Sequence, residues 1–147
     1  MIRKISLDDE KQYNELGQEL NENFSKLFDL NNELSKDYSH IYIYQIDNKL
    51  AGFIHIQQSL GFIHIQQSFD EADIINIITS KQYRNQHIAT KLINYCIETH
   101  NLKALNLEVN INNPAVNFYL KNGFKIIRKI PKYYNNDDAY FMKRVIK

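Results

Sequence analysis

A chain of 147 residues, 44% apolar and 24% charged, can bury one core without metal or disulfide staples. Eighteen Lys and Arg stand against 17 Asp and Glu, and a net charge of +1 argues against a general nucleic-acid or membrane-surface binder. The only cysteine, Cys96, excludes an internal disulfide and suits a reducing compartment, and no apolar run reaches the length of a membrane span or reads as a leader, so the expectation is a soluble cytoplasmic protein.

Glycine and proline are scarce and no stretch reads as a linker, so residues 1–147 are expected to form a single domain. Residues 2–6 are a short candidate strand. Asp8 or Asp9 is placed to cap the helix that follows. Tyr13, Leu16, Leu20, Phe24, Leu27 and Phe28 recur at helical spacing, and Gly17 with the Asn-rich stretch at 21–23 is expected to split the region into two helices. HIYIYQI at 40–46 alternates as a strand, Asp47, Asn48 and Lys49 carry turn chemistry, and 50–58 returns as the hairpin partner. Residues 73–79 form another β-rich run. A helix over 90–99 presents Leu92, Ile93, Cys96 and Ile97, which makes Cys96 a buried structural thiol rather than a nucleophile. Residues 104–109 are an apolar strand. Pro114 suits the first turn of a helix that stops at Gly123, and two strands close the chain at 124–130 and 139–146. The order β-αα-βββ-α-β-α-ββ defines a mixed α/β (α+β) domain with a largely antiparallel sheet flanked by helices.

The octapeptide GFIHIQQS occurs twice, at 52–59 and 61–68, with a nine-residue period that reads as a tandem duplication at the third strand. Nine is odd, so one continuous strand through both copies would send Phe53 and Phe62 to opposite faces. It would also run to roughly 17 residues, beyond the usual strand length. A complete extra antiparallel strand would reverse the direction of 73–79. One copy is therefore expected in the sheet, with the other looped out at the hairpin end or exchanged with a second subunit, leaving monomer and homodimer both open. The two copies are equivalent by sequence, and neither carries evident chemistry. The five histidines show no metal-ligand spacing, so no metal is expected.

Three stretches carry the chemistry: FDEADIINIITSKQYRNQHIATKLI from Phe69, LNLEVNINNPAVNFYLKNGF from Leu105, and RKIPKYYNNDDAYFM from Arg128. A strand running through YRNQHIAT into a helix aims several backbone N–H groups at one spot, backed by the helix dipole, and that spot suits a pyrophosphate. Together, and in this order, the stretches resemble the GNAT family of acetyl-CoA-dependent N-acetyltransferases, and within it the ribosomal-protein-alanine branch, which acetylates N-terminal amines. The resemblance runs from Phe69 to Met142 and reaches the start of the chain only through element order.

That resemblance implies a set of site residues. Arg84, Asn85, Gln86, His87, Ile88, Ala89 and Thr90 would hold the pyrophosphate of coenzyme A, with His87 standing where the family has glycine. A side chain there is expected to crowd the phosphate or to push the loop into another conformation, unless imidazolium contacts the phosphate itself. The backbone of Ile77, Ile78 and Thr79 would pair with the pantetheine arm in a gap between this strand and 105–109, and Asn112 would contact the cofactor or simply cap the next helix. Glu108, a charge in an apolar strand, would be the general base, and Tyr119 the general acid. Their separation of eleven residues is one shorter than the branch's pattern. Tyr133 and Tyr134 would hold the first residues of a peptide substrate. The expected activity is acetyl transfer from acetyl-CoA to a protein or peptide N-terminus, with no nucleic acid or membrane partner. A small-molecule amine as acceptor and a non-catalytic acyl-CoA-binding module are the rival readings.

Overall fold

The computed structural model describes residues 1–58, 70–134 and 136–147. Seven strands form one sheet in the order β1-β2-β3-β4-β5-β7-β6: β1 Ile2–Lys4, β2 Ser39–Ile46, β3 Lys49–Gln58, β4 Glu71–Thr79, β5 Ala104–Asn110, β6 Lys125–Tyr134 and β7 Asp137–Val145. Every neighbouring pair is antiparallel except β4 and β5, which run parallel. Five α-helical segments are described: α1 Glu10–Gly17, α2 Phe24–Leu27, α3 Leu30–Leu34, α4 Ile88–Thr99 and α5 Ala115–Lys121.

The β2–β3 hairpin turns on Asp47 and Asn48, at φ 49° and 62°, the paired left-handed residues that a tight two-residue hairpin requires. β3 is apolar on both faces because both are covered. Phe53 joins Tyr13, Leu16, Phe24, Leu30, Ile41, Ile43 and Ile78 under α1–α3. Ile54 and Ile56 join Ile74, Leu92, Ile93, Cys96, Leu105 and Leu107 under α4 and α5. Gly52 lets α4 close down on the sheet: a Cβ there would lie 2.8 Å from the Ile78 carbonyl oxygen and 3.1 Å from Ile88 Cγ2.

The expected split at Gly17 and 21–23 is found, giving α1 and α2, and a further helix, α3, follows because Asp29 starts it by accepting the Asn32 N–H at 3.0 Å. Two expectations need correction. Each break resets the helical phase, so Leu20 and Leu27 of the predicted apolar stripe are exposed. Asp9 is not a simple cap: its carboxylate accepts the Ser6 N–H and is forked by the Arg3 guanidinium at 2.8 and 2.9 Å. Of the repeat, residues 52–58 of the first copy form β3, and the second copy, with the expectations of a loop or an exchanged strand, lies outside the described residues.

β4 parts from β5 soon after it starts. The parallel ladder comprises Glu71 with Ala104, Ala72 with Leu105 and Asp73 with Asn106, and stops there. On its other edge β4 stays paired with β3 through Thr79, with a bulge that leaves Ile75 between Ile74, opposite Ile56, and Asn76, opposite His55. A bulge bends and twists its strand, so β4 beyond Asp73 follows β3 and leaves β5 behind.

Behind this bulge His55 is fully buried, its Nε2 2.6 Å from the Ser39 hydroxyl and 3.7 Å from Glu33 Oε1. Burial, helped by Lys36 and His40, lowers its pKa from 6.5 to about 4. The ring is neutral when folded, and the unfolded chain protonates first as pH falls, so this contribution is intact above pH 6.5 and is lost as pH drops toward 4. Stability from urea unfolding is expected to fall by roughly 1.5 kcal/mol between pH 6.5 and 5 on this account, and His55→Gln should flatten that slope. An unchanged slope would reject the assignment.

Candidate active site

The parting of β4 and β5 opens a cavity of about 470 Å³ lined by Asp73, Ile74, Ile75, Asn106, Leu107, Glu108, Arg128, Tyr133 and Phe141. It lies beyond the cover of α1–α3, on the sheet face that Asn106 and Glu108 share by strand alternation. Register fixes its far wall: Glu108 pairs with Phe141, and Phe141 with Arg128, whose guanidinium carbon lies 5.3 Å from the Phe141 ring centroid.

Of the predicted residues, Glu108 and Tyr133 meet in this cavity, both exposed to it. Tyr119 does not line it. It is 8% exposed, at the end of α5, with its ring against Phe118 and Phe124. Asn112 is exposed in the β5–α5 turn, and the alternative role given to it, capping, falls to Asn113, whose Oδ1 accepts the Ala115 N–H at 2.8 Å. The expectation for the Tyr134 side chain lies outside the described residues. Sequence reading missed Asp73, Asn106, Arg128 and Phe141, which line the cavity as much as the predicted residues do. Asp73 is open to the cavity, yet the surrounding walls, then the Glu108 and Glu71 carboxylates, hold its pKa above the usual carboxylate range, with the Asn106 amide working against them.

The opposite end of the open β4 edge leads into the predicted phosphate loop. Ile77, Ile78 and Thr79 pair with β3 through Ile54, Phe53 and Gly52, and have no β5 partner in the ladder. A 3-10 turn at Lys81–Tyr83 then delivers Arg84, Asn85, Gln86 and His87, all exposed, to the start of α4. Asn85 and His87 both take left-handed backbone, at φ 69° and 58°. His87 therefore keeps the conformation that glycine favours; its side chain has not pushed the backbone out of it. The first-turn N–H groups of a helix have no intrahelical acceptors, and those of α4 follow directly from this turn. Ile88 anchors the helix in the core, and the Thr90 hydroxyl donates to Asn122 Oδ1 at 3.0 Å, which leaves backbone as what these two offer a ligand. Cys96 is fully buried and its thiol is pushed up to about 12, as fits a structural residue. Among the described residues no group of His, Cys, Asp and Glu is arranged to hold a metal.

A mixed sheet with one parted parallel pair, an acidic cavity in the gap and an exposed strand–loop–helix turn at its end is the architecture of an acyltransferase fold. The acetyltransferase (GNAT) family model matches residues 3–124, and the chain belongs to that family. It is 30% identical over 117 residues to an N-alpha-acetyltransferase of Sulfurisphaera tokodaii, covering 73% of this chain and 70% of that protein. It is 29% identical over 154 aligned positions to an N-alpha-acetyltransferase of Saccharolobus solfataricus, covering 97% and 91%. Among solved structures, the ribosomal-protein-S18-alanine N-acetyltransferase of Escherichia coli shares the fold with a TM-score of 0.80 at 22% identity, covering 100% of this chain and 94% of that one.

The strain at His87 is measurable. His87→Gly is expected to leave stability within about 1 kcal/mol, because relief of the left-handed strain offsets the greater freedom of unfolded glycine. His87→Val, β-branched and least tolerant of positive φ, should lose about 1–3 kcal/mol in urea unfolding. Equal stability of the two variants would contradict the backbone assignment.

Proposed function

We propose that this chain transfers an acetyl group from acetyl-CoA to the N-terminal amine of a protein or peptide. The observation that carries the reading is the opening between β4 and β5 beyond Asp73 and Asn106, which places Glu108 and Tyr133 in one cavity at the side of an unpaired strand edge. The names of the two N-alpha-acetyltransferase relatives support the same acceptor class.

The residues present fit the cosubstrate. The exposed turn from Arg84 to His87, with left-handed Asn85 and His87 leading into the first turn of α4, suits a pyrophosphate. Arg84 would add its guanidinium, and Gln86, Ile88, Ala89 and Thr90 their backbone N–H groups. The open edge at Ile77, Ile78 and Thr79 offers backbone donors and acceptors to the pantetheine arm, and exposed Asn112, in the turn that follows β5, would add a contact to the cosubstrate. Acetyl-CoA would supply the acetyl group as a thioester with a thiolate leaving group.

The chain's own part is to hold the amine and move two protons. A cationic amine has no lone pair for attack, so the Glu108 carboxylate takes its proton, directly or through one water. The Tyr119 hydroxyl returns a proton to the departing sulfur, a phenol of pKa roughly 10 being close enough to a thiol of roughly 8.5 to do so. Tyr133 and Phe141 wall the channel that a peptide's first residues would enter, and Tyr134, next along the same strand, is assigned to the same task.

The test is a panel of peptides beginning with alanine, set against polyamines and monitored for free CoA. Peptides should be acetylated at the α-amine and polyamines should not; the reverse would assign a small-molecule acceptor. Glu108→Gln should lower kcat by about 100-fold or more. Tyr119→Phe should lower kcat sharply while acetyl-CoA raises the melting temperature of the variant as it does that of the parent. Unchanged turnover in either variant would remove that residue from its role, and no thermal shift with acetyl-CoA would reject the enzyme reading.

A further inference from the structure

Asn106 is 8% exposed and lines the cavity, and its Oδ1 finds no hydrogen-bond partner within the protein. A buried acceptor left in that state is costly unless something donates to it. Its register partner in the last β4–β5 pair is Asp73, a carboxylate on the wall of the same cavity. Two residues further along β5, on the same face, is Glu108. Three acceptor-bearing side chains thus border one space in a tight fold, and none of them is needed for the ladder, whose hydrogen bonds are backbone.

Asp73 and Glu108 make this part of the lining acidic. Glu71 of β4 is matched by Lys143 of β7 at 3.1 Å, and Arg128 of β6 lies on the Phe141 ring across the cavity. The carboxyl of Asp73 is held above its ordinary range by the packed walls, by Glu108 and by Glu71. A ligand that brings positive charge and several N–H donors relieves both the crowded carboxylates and the orphaned amide oxygen. A primary ammonium carries one charge and three donors, matching that set.

We infer that Asp73 and Asn106, with Glu108, form a receiving site for a primary ammonium. The substrate's amino group docks in its charged form, its three N–H donors meeting the two carboxylates and Asn106 Oδ1, and it gives up a proton to Glu108 only after docking. The inference rests on the N-terminal-amine reading above. It adds the protonation state in which the amine is recognised and the two residues that select it. An N-acetylated terminus offers neither the charge nor the three donors and is excluded on both counts.

The decisive experiment binds an alanyl tripeptide amide and its N-acetylated analogue to the full chain without cosubstrate, with affinities from calorimetry and, in the parent chain, the site followed through the side-chain amide NMR signals of Asn106. The free-amine peptide should shift those signals and bind at least tenfold more tightly than the acetylated one. Asp73→Asn should abolish that difference, and Asn106→Ala, a second variant in case the first does not fold, should shrink it several-fold. In turnover, Asp73→Asn should raise KM for the peptide about tenfold with kcat within twofold, a split that a merely structural residue would not produce. Equal binding of the two peptides, or a preference untouched in Asp73→Asn, would overturn the inference even if acetyl transfer proceeds. Absence of transfer to every peptide, with the binding preference intact, would count against the transfer reading and leave this site standing.

Discussion

The register of one strand pair decides what this molecule can do. β4 holds β5 for three residue pairs and then follows β3 away from it, because the bulge at Ile75 shifts the β3 ladder by one residue and turns the strand while the pairing with β3 continues. A parallel pair zipped to the end would consume the backbone edge from Ile74 to Thr79 and close the cavity in which Glu108 faces Arg128, Tyr133 and Phe141. The features on which the proposed function rests follow from that parting: an open strand edge, an acidic pocket beside it and an exposed strand–loop–helix turn at its end.

The two ends of the opening are held differently. At the closed end, Asp73 and Asn106 form the last pair, so side chains that would otherwise be ordinary strand residues become the floor of a site. At the other end the backbone is held by packing. Gly52 admits Ile88 against β3, and Ile88 pins the start of α4. The bond from Thr90 to Asn122 ties α4 to the end of α5. With the helix so fixed, the strain of left-handed Asn85 and His87 is borne by the fold, as is common where a loop must aim its N–H groups at a ligand.

Much of this was legible from local chemistry. Asp47 and Asn48 announce a tight hairpin, Pro114 and Gly123 bracket α5, and Cys96 sits on the apolar stripe of α4. The order of three loose motifs pointed to the family and, through it, to Glu108 in a gap between strands. What stayed hidden depended on register or phase. Asp73, Asn106 and Arg128 each look like a polar residue on an ordinary strand, and only the β4–β5 and β6–β7 pairings bring them to one cavity. The helical stripe through Leu20 and Leu27 failed because the break between Gly17 and Phe24, itself announced by the sequence, resets the helical phase. Two identical octapeptides gave no local reason to choose between them; the turn at Asp47 and Asn48 leads straight into the first copy, which fills β3.

The parting of β4 and β5 is open to direct measurement by amide hydrogen exchange on the full chain with and without acetyl-CoA. The account predicts that amides of β4 from Ile75 to Thr79 that face away from β3, and those at the start of α4, gain protection on binding, while the paired stretch from Glu71 to Asp73 is unchanged. Protection of both stretches to the same degree before any ligand is added, with no further change afterwards, would mean that the strands are joined along their length and would contradict it.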